Sequence, residues 1–151
     1  MITSNLSESD VNVLSTAMDR VVPAVDDLPG AGGMGLAIVV VERSRADERF
    51  WNALTTVVNA LSSAGSDGSG EFASMSGDEQ DDALRAVETS EPAAFALWLD
   101  VVFTIYYMQP AVHKRLDWHG RSPQPVGNDM PPWDESVLSK IRQREPFWRK
   151  V

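Results

Sequence analysis

The hydrophobic and polar positions of the chain follow a helical spacing through most of its length. In residues 7–22, "SESDVNVLSTAMDRVV", apolar residues recur every three or four positions: Val11, Leu14, Ala17, Met18 and Val21. Ser7 with Asp10 forms a plausible capping pair before this run, and Pro23 follows it. The pattern therefore predicts a helix that begins near Ser7 and ends before Pro23.

The same spacing predicts further helices over residues 34–44, 47–63, 77–88, 91–108 and 110–118, with a last candidate helix over 133–148. Residues 38–41 are β-branched and are compatible with a strand, but no other segment alternates in a way that would pair with it. The segment 91–108 is apolar nearly all round, which is typical of a central core helix. The predicted fold class is all-α, a single small helical domain of about six helices.

Three stretches interrupt the helical pattern. Residues 23–35, "PAVDDLPGAGGMG", are rich in Pro and Gly and predict a flexible connection. Residues 63–75 lie in a Gly/Ser-rich segment that predicts a mobile linker. After Gly120 the chain is Pro-rich, so the single domain is interpreted as a helical bundle over 1–120 followed by an extended Pro/aromatic-rich tail over 121–151.

Gly30, Gly32 and Gly35 have the G-x-G-x-x-G spacing of a dinucleotide-binding turn. That motif requires a buried strand before it, so that a pyrophosphate meets the start of the following helix. The preceding residues "VVPAVDDLP" cannot form such a strand, and Asp26 and Asp27 would repel a phosphate. The sequence therefore argues against a nucleotide site here, and Gly32→Ala is expected to change stability by no more than about 0.5–1 kcal/mol.

Composition and charge exclude several classes of protein. The 151 residues are 43% hydrophobic, enough for a real core, and a net charge of −9 argues against nucleic-acid and anionic-membrane partners. The absence of cysteine excludes disulfides and thiolate sites. No apolar run is long enough to insert directly into a membrane, and the N-terminus lacks an export signal. The expected location is cytoplasmic as written, or periplasmic if a signal was removed or belongs to a partner.

The charge is unevenly spread along the chain. Residues 1–100 carry five Lys/Arg against 17 Asp/Glu, whereas residues 101–151 carry eight against five. Trp118, Trp133, Phe147 and Trp148 lie in this second part, among Pro, Arg and Lys. Aromatic and Arg side chains are enriched at interface centres. The C-terminal segment either wraps the helices of its own chain or lies on a partner, and the residues alone leave both open.

The densest group of polar-aromatic residues is "YYMQPAVHKRLDWHGRSPQP", residues 106–125. His113 and His119 are six positions apart and have no acidic partner for a metal site. The acidic pairs at 26–27 and 81–82 are expected to be solvated surface rather than acid/base groups. No serine lies in a nucleophile elbow, so the sequence offers no catalytic constellation.

Three interpretations of residues 106–125 remain. The favoured one is a structural knuckle in which Pro110 ends the core helix, a short helix folds back so that Trp118 can pack, and Gly120 permits a turn. The runner-up is a small-molecule pocket lined by Tyr106, Tyr107, His113 and Trp118. The least favoured is an enzyme that uses His113 or His119 as a general base.

A family resemblance favours the first interpretation. "LSESDVNVLSTAMDRVVPA", "MSGDEQDDALRAVE" and "FTIYYMQPAVHKRLDWHGRSPQP" occur in the order seen in the gluconate 2-dehydrogenase subunit 3 family, which the chain resembles over residues 6–125. Asp117 stands where that family more often has glycine. The best-matching positions are Tyr106, Tyr107, Pro110, Leu116, Trp118 and Gly120.

The resemblance implies a non-catalytic small subunit that accompanies a large flavin-dependent sugar or alcohol dehydrogenase of the glucose–methanol–choline type. It implies FAD in the partner and no cofactor or metal in this chain. The residues predicted to form a partner interface or structural knuckle are Tyr106, Tyr107, Pro110, Leu116, Trp118, Gly120, Trp133, Phe147 and Trp148.

Overall fold

The computed structural model describes residues 6–64, 71–118 and 132–144. Contacts between backbone positions divide the chain into a unit over residues 1–119 and a unit over residues 120–151, which are described separately. The helices in chain order are α1 (Glu8–Val21), α2 (Leu36–Ser44), α3 (Glu48–Ala64), α4 (Gly77–Ser90), α5 (Pro92–Tyr107), α6 (Pro110–Arg115) and α7 (Ser139–Arg142).

Two of these helices begin with the same side-chain cap. At α1, the Ser7 hydroxyl accepts the Asp10 N–H at 3.1 Å, and the Asp10 carboxylate accepts the Ser7 N–H at 2.9 Å. At α4, Ser76 and Glu79 repeat the arrangement. Reciprocal capping satisfies backbone donors that a helix start leaves without partners, at about 1 kcal/mol for each cap. Both helix starts were predicted from these residue pairs.

The β-branched residues at positions 38–41 form part of α2. Val40 and Val41 are buried, which shows that packing outweighs their preference for strands. Among the described residues, β-type pairing is confined to an isolated bridge between Val25 and Leu28. The all-α fold class is confirmed.

The core of the first unit lies around α3 and α5, which make the most extensive contact between any two elements. Four side chains are almost fully buried there: Leu54, Leu61, Trp98 and Val102. The ring centroids of Phe95 and Trp98 are 5.3 Å apart. The prediction that residues 91–108 form a central core helix is confirmed, since α5 packs against α2, α3, α4 and α6, but α5 is not covered on every side. One side of its C-terminal half is exposed, because the packed neighbours cover only part of its circumference.

Both ends of the linker predicted over 63–75 belong to helical elements in the structure. α3 runs to Ala64, and a 3₁₀ helix spans Phe72–Ser74. Phe72 is buried, and its carbonyl accepts the side-chain amide of Gln80 at 3.1 Å. Residues 71–75 are therefore part of the packed bundle. The rest of the predicted linker, residues 65–70, lies outside the described residues.

The second unit is described over residues 132–144. In the described part of the candidate helix over 133–148, a 3₁₀ helix spans Glu135–Leu138 and leads into α7. The Asp134 carboxylate caps this turn by accepting the Ser136 N–H at 2.9 Å. Residues 119–131 and 145–151, which carry most of the predicted extended tail, lie outside the described residues. No helix in the described part of the chain combines the length and apolarity needed to cross a membrane.

Candidate functional site

The segment 106–118 forms a sharp junction between α5 and α6. The last turn of α5 is closed by the Met108 N–H, which donates to the Thr104 carbonyl at 3.1 Å. Gln109 is extended, and its side-chain amide donates to the Ile105 carbonyl at 2.8 Å. Pro110 then occupies the first turn of α6, where a missing N–H has no cost. The predicted end of the core helix at this proline is observed.

His113 holds α6 against the end of α5. Its Nε2 lies 2.5 Å from the Tyr107 carbonyl oxygen, so this nitrogen carries the proton and donates it. Its ring also contacts the Trp118 ring edge-to-face, with centroids 4.1 Å apart. Both interactions position the backbone of the junction, which is a structural use of the imidazole. His119, the other residue considered as a general base, lies outside the described residues.

The end of α6 is a Schellman motif. The Trp118 N–H donates to the His113 carbonyl at 2.8 Å, and the Asp117 N–H donates to the Lys114 carbonyl at 3.2 Å. Asp117 adopts a φ of 53°, the left-handed conformation for which glycine has the lowest cost. The contact between Trp118 and His113 is the side-chain pair that usually accompanies this motif. The motif ends α6 at Arg115, before the predicted residue 118.

The two adjacent tyrosines have opposite environments. Tyr106 is buried in the core, whereas Tyr107 is 55% exposed, and their rings meet edge-to-face at 5.3 Å. Tyr107 lies one helical turn after Phe103, which is 38% exposed on the same side of α5. Met108, Leu116 and Trp118 are 66%, 60% and 50% exposed. We call these five exposed residues the α5–α6 surface: Phe103, Tyr107, Met108, Leu116 and Trp118.

The structure therefore brings together three of the predicted interface residues, Tyr107, Leu116 and Trp118. Pro110 lies between them at the start of α6, and Tyr106 faces the core. Trp133 is 73% exposed in the second unit. Gly120, Phe147 and Trp148 lie outside the described residues.

Sequence reasoning missed two members of the surface, Phe103 and Met108. Residues 91–108 were interpreted as one core helix, so Phe103 was not distinguished from its buried neighbours. Phe103 and Tyr107, four positions apart, share one side of α5, and Met108 follows its last residue. Nothing in that spacing shows which side neighbouring helices leave open.

Arg115 was also missed. Its guanidinium pairs with the Asp26 carboxylate, 89 residues earlier in the chain, and so connects α6 to the 23–35 segment. No local pattern signals such a distant pair.

Cavities of the first unit that are lined by described residues do not include Tyr106, Tyr107, His113 or Trp118 in their lining. One of about 620 Å³ lies between the starts of α1 and α2. A groove of about 430 Å³ separates residues 27–29 from α6, and a third of about 90 Å³ lies among α2, α3 and α5. The alternative of a small-molecule pocket at these four residues thus has no cavity among the three to rest on. In the described part of the chain, no group of three His, Asp or Glu side chains is arranged to hold a metal ion.

The Gly30–Gly35 segment does not fit a dinucleotide, and it is not a flexible connection either. Gly30, Ala31 and Gly32 are buried against α1. A Cβ added to Gly32 would lie 2.0 Å from the Ser15 carbonyl oxygen, leaving no room for any side chain. The expectation that Gly32→Ala would be nearly neutral is therefore wrong, because the glycine permits a close approach of two backbones.

The Asp19 carboxylate of α1 fixes this segment from the other side. It accepts the Gly33 N–H at 2.9 Å. A Cβ on Gly30 would come within 2.3 Å of the same carboxylate oxygen. The Gly33 N–H is thus used by α1, and the Gly35 N–H donates to the Gly32 carbonyl at 2.8 Å, so neither is free for a phosphate.

The acidic pairs are only partly the solvated surface that was expected. Arg20 of α1 donates to both oxygens of Asp81 on α4, each at 2.8 Å. The hydrogen bond from Arg20 lowers the pKa of the Asp81 carboxyl below its ordinary value. Asp26 and Asp82 also pair, with Arg115 and Arg85. Asp81 and Asp26 therefore connect separate elements, whereas Asp82 pairs within α4 and is largely exposed, as expected.

Comparison with known proteins connects this geometry to a family. Neither a curated protein nor a solved structure matches the chain. A family model described as gluconate 2-dehydrogenase subunit 3 matches residues 8–121, which include all of α1 to α6 and the α5–α6 surface. The resemblance read from the sequence is confirmed, and the chain belongs to the gluconate 2-dehydrogenase subunit 3 family.

Proposed function

We propose that this chain is a non-catalytic small subunit that binds a large FAD-dependent oxidoreductase of the glucose–methanol–choline type. In this proposal it stabilises the large subunit or helps it mature. Membership of a family described as a dehydrogenase subunit supports a role within a complex. The flavin and the sugar or alcohol substrate belong to the partner.

The observation that carries the proposal is the α5–α6 surface. Its five side chains together expose on the order of several hundred Å², a large apolar area for the end of one helix and the short helix that follows it. The carbonyl of Tyr107, the ring of His113 and the ring of Trp118 are in sequential contact, which joins its two halves. Large aromatic residues at the centre of an exposed apolar surface are typical anchors of protein interfaces.

The absence of catalysis by this chain is supported by how its polar groups are used. His113 Nε2 is directed at a backbone carbonyl, and Asp81 at an arginine. The glycine-rich segment is packed against α1 and offers no phosphate cradle. We therefore expect the isolated chain to bind no flavin and to show no dehydrogenase activity.

The test is purification of the affinity-tagged full chain from its native host. A large flavoprotein is expected to co-purify, recognised by the flavin absorbance band and by its mass. The matched control is the chain with Trp118→Ala and Leu116→Ala, which should recover much less flavin per tagged chain. A flavin that stays with the isolated chain after the partner is removed would contradict the assignment of the cofactor to the partner.

The C-terminal unit is proposed as a second contact with the same partner. Trp133 is 73% exposed, and an exposed tryptophan is a frequent interface anchor. Deletion of residues 128–151 should leave the melting temperature nearly unchanged while complex formation is lost, and Trp133→Ala with Trp148→Ala should reproduce that loss. A melting temperature several degrees lower would instead indicate that the tail packs on its own bundle.

A further inference from the structure

α6 is too short to be stable by itself, so its position depends on contacts with the rest of the chain. It has six residues, whereas isolated helices shorter than about 12–15 residues are marginal in water. Its contribution to the core is Val112, which is buried. Its orientation therefore depends on a small number of contacts, and Leu116 and Trp118 move with it because they follow directly after its last turn.

One of these contacts comes from a tight turn far away in sequence. Val25 and Leu28 exchange two backbone hydrogen bonds, at 2.9 and 3.0 Å, and so close a turn over Asp26 and Asp27. Asp26 adopts a φ of 53°, an unfavourable conformation for a residue with a side chain. From this position its carboxylate pairs with Arg115, the last residue of α6.

The turn is itself fixed to the bundle. The Ala31 N–H donates to the Val22 carbonyl at 3.0 Å, which joins the two ends of the segment that contains the turn. Gly30 and Gly32 then pack without clearance on α1, as described above. A connected path thus runs from α1 through the glycine segment to Asp26, Arg115 and the end of α6.

We propose that Asp26 and Arg115 form a latch that holds α6 in the orientation in which Leu116 and Trp118 are presented to the large subunit. This rests on the proposed function for the identity of the partner. The latch itself is a property of the isolated chain, and it can be tested without any partner. Both side chains are about half exposed, so the pair is modest in strength and should weaken as salt rises.

The first measurement is hydrogen exchange in the isolated full chain. Asp26→Asn keeps a residue that tolerates the left-handed conformation while it removes the charge, and Arg115→Gln removes the other charge. In each variant, the amides of Leu116, Asp117 and Trp118 should exchange roughly two- to fivefold faster than in the wild type. The double variant should exchange no faster than the single variants, because the two charges act through one interaction.

The matched control is Asp27→Asn, which removes the same charge one position along the same turn. It should leave exchange at residues 116–118 unchanged. If Asp26→Asn and Arg115→Gln also leave it unchanged, or if Asp27→Asn accelerates it equally, the latch is overturned.

The second measurement is recovery of flavin on the tagged chain from the native host, with the same three variants. The two latch variants should recover roughly two- to fivefold less flavin per chain, and Asp27→Asn should match the wild type. Faster exchange with unchanged recovery would overturn the role of the latch in docking. A wild-type chain that recovers no flavoprotein would overturn the proposed function, and the exchange data would still decide the latch.

Discussion

The glycine segment at residues 30–35 and the C-terminal end of α5 use small and large side chains in opposite ways. Gly30 and Gly32 have no side chain to bury, yet their backbone is buried where it meets α1. Phe103, Tyr107 and Met108 have large apolar side chains, yet these are exposed. Burial therefore follows how closely neighbouring elements approach, and only secondarily the size of the apolar side chain. The first region serves internal packing, and the second is the surface that we propose contacts the large subunit.

The largest loss of stability is expected when a side chain is added at Gly32, in the closely packed region. Gly32→Ala should lower the free energy of unfolding by about 2–4 kcal/mol, because its Cβ would clash with the fixed backbone oxygen of Ser15. Chemical denaturation measures the change. Gly33→Ala is the control, since its Cβ would meet the nearest atom at 3.5 Å and should cost no more than about 0.5 kcal/mol. Equal effects at both positions would contradict the close packing.

On the α5–α6 surface, a mutation is expected to change partner binding more than stability. Trp118→Ala should weaken binding of the large subunit by about 2 kcal/mol or more, while unfolding of the isolated chain changes by less than about 1 kcal/mol. Ile38→Ala is the control, because Ile38 is 60% exposed on α2, outside the α5–α6 surface. Titration of the purified large subunit and thermal unfolding give the two readouts. If Ile38→Ala weakened binding as much, the interface would have to include α2.

A smaller effect is expected at the Schellman motif that ends α6. Asp117→Gly should raise the free energy of unfolding by about 0.5–1 kcal/mol, because glycine adopts the required φ of 53° without a Cβ penalty. Asp117→Val should lower it, since a β-branched residue is strongly disfavoured there. In thermal unfolding, the melting temperature should therefore be highest for Asp117→Gly, intermediate for the wild type and lowest for Asp117→Val. The reverse order would show that the Asp117 side chain contributes more than the backbone strain costs.

The smallest effect is expected at the Arg20–Asp81 pair, which joins α1 to α4 and is about one third exposed. Because Arg20 lowers the pKa of the folded Asp81 below 3.8, the pair stabilises the protein above that pH. The stabilisation is lost as the pH falls through the lower pKa of the folded state. The difference in unfolding free energy between the wild type and Asp81→Asn should therefore be present at neutral pH and shrink in acid. Asp82→Asn, which disrupts a pair within α4 alone, should show a smaller difference at neutral pH.

The sequence predicted the helices well where a local rule defines their limits. Ser7 with Asp10 and Ser76 with Glu79 marked two helix starts, and Pro110 marked the end of α5, because capping and proline geometry act over three or four residues. It was less successful where limits depend on distant contacts. Phe72 occurs in a Gly/Ser-rich stretch typical of linkers, yet its burial and the hydrogen bond from Gln80 make it part of the bundle.

The sequence indicated candidate residues for the site but not how they are arranged. Tyr106, Tyr107 and Trp118 were singled out from composition, but periodicity could not show that the first faces the core and the other two face solvent. Asp26 and Arg115 belong to different patterns 89 residues apart, so no spacing rule connects them. Interactions between residues close in sequence therefore determined the all-α class, the capped helix starts and the end of the core helix at Pro110. Tertiary structure decided which apolar face stays exposed and packed the glycine segment closely against α1, because both depend on contacts between separate elements of the chain.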